Sequence, residues 1–303
     1  MNLDLLPLAL ADGFSYAGLL FLVALGLTLI FGVMGILNVA HGAMYAFGGY
    51  AAASLVQAIV NRGGEVPSVV LVLALFVAAI VVGVVLGCLL EIGLLRRVQD
   101  KDPVLQLLIT FGAFLILDDV QLLIWGGTPY SASEITGRLG TIELFGATFT
   151  AYQLVFIPLV ALLAYGTLQY FLRYTRVGRQ VVAVTHNAEV ATALGIHAKR
   201  IRLVTFIVGA ILGALGGALS VPNTSLVPGV GTDMIVLSFS VVATAGLGQI
   251  TGALIAALMI GMARSLAVYT FPEFEVVVPY LIMVLVLLIR PYGLFTVAQA
   301  RKI

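Results

Sequence analysis

The chain has 303 residues, 61% of them hydrophobic and only 10% charged, with a net charge of +1 and a mean hydropathy of +1.15. An ordinary soluble domain carries about a quarter charged residues, so composition excludes one and indicates a polytopic membrane protein; the near-neutral charge, with no basic run, gives a nucleic-acid partner nothing to bind. Transmembrane barrels alternate apolar and polar residues, whereas "VVLVLALFVAAIVVGVVLGCLL" (69–90) is apolar on every face, which predicts an all-α fold.

The opening "MNLDLLPLALADG" has two Asp and no Lys or Arg, unlike the positive start of a secretory signal, and is expected to stay on the protein. From Gly13 to Asn61 no charged residue occurs, a run about twice the roughly 20 residues that cross a bilayer, so it reads as two spans. Apolar runs between charged or Pro/Gly-rich punctuation predict spans at 14–36, 41–59, 69–95, 104–125, 152–172, 202–221, 234–249, 252–270 and 276–290, about eight or nine in all. The whole of 1–303 reads as a single permease-like membrane domain.

Asn38 and His41 fall between the first two spans, among Gly32, Gly35, Gly42, Gly48 and Gly49. Two readings stand: they tie down backbone groups freed at a turn, or they form part of a pathway or gate, with Gly42 beside them. The lone Cys88 lies in the third apolar run, so it makes no internal disulfide and says nothing of redox compartment. The fourth span carries Asp118 and Asp119 and the eighth Arg264. At 1.5 Å per residue, Asp118 lies about 21 Å and Arg264 about 18 Å from the start of its helix. Both spans run the same way, so the depths match and an ion pair is expected, serving either to join two helices or to pass solute.

Residues 126–150 read as a short cap or small hairpin. The segment after the fifth span reads as one helix from Arg179 to Leu194, stopped by Gly195 and followed by a basic cluster up to about residue 200. The seventh span is short and precedes "GLGQITG", so 234–249 is expected to be broken or re-entrant. Glycines four apart at Gly83/Gly87, Gly209/Gly213/Gly217 and Gly248/Gly252 read as helix-packing seams.

With the amino terminus outside, twelve of the fifteen Lys and Arg fall inside, from Arg96 and Arg97 through Lys199, Arg200 and Arg202 to Arg301 and Lys302, leaving Arg62 and Arg138 outside. The carboxyl terminus is then cytoplasmic. No H-E-x-x-H, paired Cys or G-x-S-x-G occurs, and Lys101, Lys199 and Lys302 all lack the setting of a phosphate loop. The chain is therefore not expected to be an enzyme, to hold a metal or to bind a cofactor; if ATP drives it, another subunit binds the nucleotide.

The segments "ALGLTLIFGVMGILNVAHGAMYAFGGY", "VGRQVVAVTHNAEVATALGIHAKRIRLVTFIVGAILGALGGAL", "VVATAGLGQITGALIAALMIG" and "LVLLIRPYGLF" resemble the branched-chain amino acid ABC-transporter permeases of the LivH type. The resemblance covers nearly the whole chain. It implies a bacterial inner-membrane importer with a LivM-type second permease, two cytoplasmic ATP-binding-cassette subunits that use ATP with Mg²⁺, and a periplasmic solute-binding protein, all set in membrane lipid. Glu189, Ala191 and Gly195 match an E-x-A…G loop that docks the ATPase; Ala191 and Gly195 would allow close contact there. Relatives resemble one another in an acidic residue where Arg264 stands and an amide near Asp118, so a cation near the outer mouth favours an anionic solute. Urea, short amides and aromatic or dicarboxylic acids are carried by related permeases. The alternative class is a self-sufficient secondary transporter or channel for urea, amides or small carboxylates, which would need ionisable groups relayed from side to side.

Overall fold

Inside a bilayer a backbone has no water to bond, so long apolar runs become helices. The computed structural model describes residues 6–63, 66–99, 101–144 and 147–295; Arg301 and Lys302 of the charge tally lie outside them. The helices are α1 (Leu6–Met34), α2 (His41–Val60), α3 (Ser68–Leu90), continued by a π turn (Glu91–Leu95) into α4 (Arg96–Val98), α5 (Pro103–Trp125) and the short α6 (Glu134–Arg138). After a two-stranded antiparallel hairpin, β1 (Thr141–Leu144) and β2 (Ala147–Thr150), come a π turn (Tyr152–Phe156) leading into α7 (Ile157–Tyr174), then α8 (Arg176–His186), α9 (Ala188–Ala193) and α10 (Ala198–Ser220). The chain closes with α11 (Val230–Ala245), α12 (Ile250–Thr270), a 3₁₀ turn (Pro272–Phe274) and α13 (Val277–Ile289).

Among the described residues, seven helical stretches are long and apolar enough to cross a membrane, and α11 and α13 are shorter apolar helices. These nine fall on the nine predicted runs. The first starts at Leu6 rather than 14 because Asp12, which suggested a boundary, is satisfied within the bundle: its carboxylate accepts from the Tyr269 hydroxyl at 2.8 Å and from the Gln153 amide. The cap expected at 126–150 is α6 with the hairpin.

The buried helix α10 packs against α1, α2 and α3, and its glycines set how close they come. Gly209 meets Gly26 and Ile30, the His41 ring fills the place of a side chain at Gly213, and a Cβ on Gly217 would overlap the Tyr45 carbonyl oxygen. On the α3 side Gly83 meets Ile211. These are the packing seams expected of glycines four apart. Gly248 and Gly252 do something else: Gly248, at φ +82°, turns the chain before α12 against Gly32, and Gly252 faces the Ala245 carbonyl and the Phe295 ring.

The helix expected from Arg179 to Leu194 is two. Asn187 breaks it with extended backbone (φ −159°, ψ 105°) and its side chain accepts from the amides of Glu189 and Val190, both at 3.0 Å, which caps α9 and offsets the lost helical bonds. Gly195, at φ +88°, closes α9: its amide donates to the Thr192 carbonyl at 2.9 Å and that of Ile196 to the Ala191 carbonyl at 3.0 Å. This paired pattern needs a left-handed residue, which glycine adopts without strain.

Gly217→Ala should destabilise the folded protein by about 3 kcal/mol, the upper range for forcing one methyl into a packed contact, whereas Gly112→Ala, where an added Cβ meets nothing within 4 Å, should be neutral or slightly stabilising. Thermal unfolding of the two variants in detergent separates these outcomes.

Candidate functional site

The first helix ends at Gly35 (φ +67°), and residues 35–38 are non-helical before α2 starts at His41. The break opens at the surface, where Gly35 is exposed and a Cβ placed on it would meet nothing within 4 Å, and the chain then turns inward, with Ile36 and Asn38 buried. The His41 ring lies against Gly26 of α1 and Gly213 of α10, each well inside its helix, and Nε2 donates to the Val23 carbonyl at 3.0 Å. The chain has turned back into the bundle before α2 begins. Its freed backbone is served by Thr110 of α5, whose Oγ1 accepts from the Val39 amide at 3.3 Å and lies 3.3 Å from the Leu37 carbonyl oxygen.

Thr110, which sequence reasoning missed, thus performs the tying-down expected of Asn38 and His41. Its signal was the buried stripe of α5, Gln106, Thr110, Phe114, Leu117 and Gln121, whose spacings of three and four mark one helix face. Asn38 is wholly buried, and neither its Oδ1 nor its Nδ2 finds a partner among the described residues; the same holds for His41 Nδ1, Thr28 Oγ1, Ser238 Oγ and Thr244 Oγ1. Buried polar atoms left unbonded in protein mark a place where function or bound water takes up the cost.

Gly42 packs on Gly231, so the first turns of α2 and α11 touch inside the bundle. This goes with the shortness of α11: residues 221–229 are non-helical, with Leu226 and Tyr130 exchanging backbone bonds, and the helix starts only after Gly229 (φ +89°). The interruption expected at "GLGQITG" is therefore matched by a second one at the start of α11. At its far end, the amides of Leu294 and Phe295 donate to the carbonyls of Thr244 and Ala245 at 2.9 and 3.0 Å.

Arg264 does not take Asp118 or Asp119 as its partner. It pairs with Glu275, just beyond α12, and its guanidinium stacks 4.1 Å from the centroid of the Tyr16 ring. Arg264 is near enough to the end of α12 for its long side chain to reach that group, as basic side chains near helix ends do. The cation invoked for an anionic solute is already neutralised. Asp118 is half-buried and Asp119 exposed on α5.

At the end of the bundle that carries Arg96, Lys199 and Arg200, here the basic end, Ala191 is buried with Val33, Val181, Val184 and Ile201. It anchors α9 rather than offering a contact surface, which corrects the role expected of it. Glu189, Val190, Leu194 and Gly195 are exposed. Among the described residues no group of His, Cys, Asp or Glu is arranged to hold a metal.

Residues 9–287 match the family described as branched-chain amino acid transport system / permease component. The chain belongs to this permease family. The high-affinity branched-chain amino acid transport system permease protein LivH of Escherichia coli (strain K12) is 31% identical over 296 residues, covering 96% of this chain and 94% of that one. The corresponding permease protein BraD of Pseudomonas aeruginosa is 26% identical over 300 residues, 97% of each chain. The solved structure of PsaBC from Streptococcus pneumoniae in complex with Fab superposes with a TM-score of 0.51 over 93% of this chain and 91% of that one; at 13% identity it speaks for the fold alone. This permease is thus a multi-span membrane component of a transport system, and it shares the fold of that solved structure.

Two outcomes test the site's geometry. Thr110→Val should cost the permease about 1–3 kcal/mol in detergent stability by leaving the Val39 amide unpaired, and Thr110→Ser should retain most of it. Arg264→Leu and Glu275→Leu should each reduce folded protein in membranes and the double change recover it, because a lone charge is worse than none; Asp119→Leu should show no such rescue with Arg264→Leu in the same double-mutant cycle.

Proposed function

We propose that this permease is one membrane subunit of an ATP-driven importer that carries branched-chain amino acids, or a related small polar solute, from periplasm to cytoplasm across a bacterial inner membrane. Family membership across residues 9–287 carries the reading. A LivM-type permease completes the passage, two ATP-binding-cassette subunits supply hydrolysis of ATP with Mg²⁺, and a periplasmic protein delivers the solute; no cofactor is assigned to this chain. The amino terminus lies outside and the basic end in the cytoplasm, in keeping with the excess of Lys and Arg there.

Helix α9 is the element that meets the ATPase. Its inner side is fixed through Ala191, its outer side presents Glu189, Val190 and Leu194, and the turn at Gly195 ties it to the start of α10. A push on α9 therefore passes to α10, which packs against α1, α2 and α3. Asn38 and His41, set beside the break and carrying unbonded polar atoms, are the gate or pathway groups, with Gly42 giving the close α2–α11 contact that such a gate turns on.

An exposed carboxylate in a span is costly against lipid. Asp119 is accordingly assigned to the face of α5 that meets the second permease or the passage between the two. With Arg264 neutralised by Glu275, the charge left over in these two spans is acidic, which suits the α-ammonium group of an amino acid and not a dicarboxylate. Among the described residues charged groups do not form a relay across the spans, so a self-sufficient carrier is the weaker reading.

Proteoliposomes holding the permeases and ATPases should take up leucine only with ATP and the solute-binding protein, and uptake by the permease alone would overturn the importer reading. Within that assay Leu194→Asp should cut solute-stimulated ATP hydrolysis by about tenfold or more, as losing an interface anchor does. A cysteine at Glu189 in a Cys88→Ala background should label with an impermeant thiol reagent from the cytoplasmic side alone.

A further inference from the structure

At the basic end lies a cavity of about 790 Å³ between α9, the first turn of α10 and Arg96. Its volume is that of an ordinary small-molecule site. The ionisable groups on its walls are Arg96, Glu189, His197, Lys199, Arg200 and Arg202. Glu91, which is 1% exposed, neutralises Arg96 through two bonds of 2.8 and 3.3 Å, and Glu189 offsets one more charge, leaving a surplus of two positive charges before His197 is counted. Lys199, Arg200 and Arg202 have no ion-pair partner among the described residues, and the Nε of Arg202 is buried without any hydrogen bond. The 23-residue α10 begins here with no side-chain cap, so its positive end adds to the same field.

The position of the cavity selects the ligand. Arg96 ends the span that starts at Ser68, and Ala198 begins the span that ends at Ser220, so the cavity sits where hydrocarbon gives way to water. One turn further into each span the surface is apolar and exposed, at Ile92 on one side and Val204 on the other. A ligand that fits is anionic at one end and hydrocarbon at the other. We propose that this cavity holds the phosphodiester headgroup of an anionic phospholipid of the cytoplasmic leaflet, such as phosphatidylglycerol, with Lys199, Arg200 and Arg202 on the phosphate and the acyl chains along Ile92 and Val204. The side of the membrane rests on the orientation given above; the binding chemistry does not. Because Glu189 and Gly195 line the same cavity, the bound lipid also steadies the ATPase-facing helix, so coupling depends on the lipid around the importer.

The test uses the assembled importer, purified in detergent and titrated with phosphatidylglycerol or phosphatidylcholine under native mass spectrometry. Phosphatidylglycerol should bind in preference, and Lys199→Gln, Arg200→Gln and Arg202→Gln should each weaken it about fivefold, the effect of one basic residue at an anionic membrane surface. Arg200→Lys, which keeps the charge, should bind nearly as wild type and serves as the control for folding. Displacement of the lipid by millimolar inorganic phosphate would reassign the site to a free anion and overturn the proposal. Unchanged lipid binding by the three variants, together with loss of the ATPase subunits from the assembly, would assign the cations to the ATPase and overturn it as well. Lipid binding is measured without transport, so its failure leaves the importer reading intact.

Discussion

A backbone that leaves the helix inside a bilayer must find its hydrogen bonds in protein. Residues 36–38, which turn inward from the exposed Gly35, are such a backbone, and the architecture around them follows from that requirement. Thr110 meets part of it, which fixes the height and rotation of α5 against the end of α1. The later start of α2 brings its first turn against Gly231, which in turn holds the start of α11 deep in the bundle. Two interrupted elements thus meet at one place, and they bring with them the buried amide of Asn38 and the ring of His41.

That arrangement needs backbones nearer to one another than ordinary side chains allow. Where lipid removes the hydrophobic drive between helices, contact distance decides association, and α10 supplies it with glycine toward α1, His41 and α2. His41 has its place only because Gly26 and Gly213 leave the width of a ring between two helices. The imidazole then bonds a carbonyl of α1, so the polar group in this seam also fastens it.

The spans were legible because apolar runs of sufficient length have one solution in a bilayer, and the family was legible in motifs spread along the chain. What escaped was decided by individual side chains. Asp12 looked like a boundary until Tyr269 and Gln153, remote in sequence, satisfied it. The break at Asn187 was hidden because both flanking stretches suit a helix, and only the cap distinguishes two helices from one. For Arg264, helical rise gave a depth, but a flexible side chain reaches past its own depth, and Glu275 had been placed outside the span. A single Thr among leucines carries no message alone, so the role of Thr110 appeared only once α5 was seen beside the break. Ala191 matched its motif, yet the side it faces was set by the fold of α8 and α9.

The contacts of α10 also restrict how such a molecule can move. Gly217 beneath the Tyr45 carbonyl and Gly83 against Ile211 leave no slack for sliding, since a shift of one residue would drive a side chain into each gap. Helices α1, α2, α3 and α10 are in that sense a single machined part, with a fixed register and no play. The freedom needed to open one side of a membrane and then the other has to reside at the rim, where α5 turns a broad apolar face outward and, among the described residues, no glycine contact of that kind holds it. A conformational cycle here is a hinge at the edge of a stiff wedge, and the stiffness is written in the glycines.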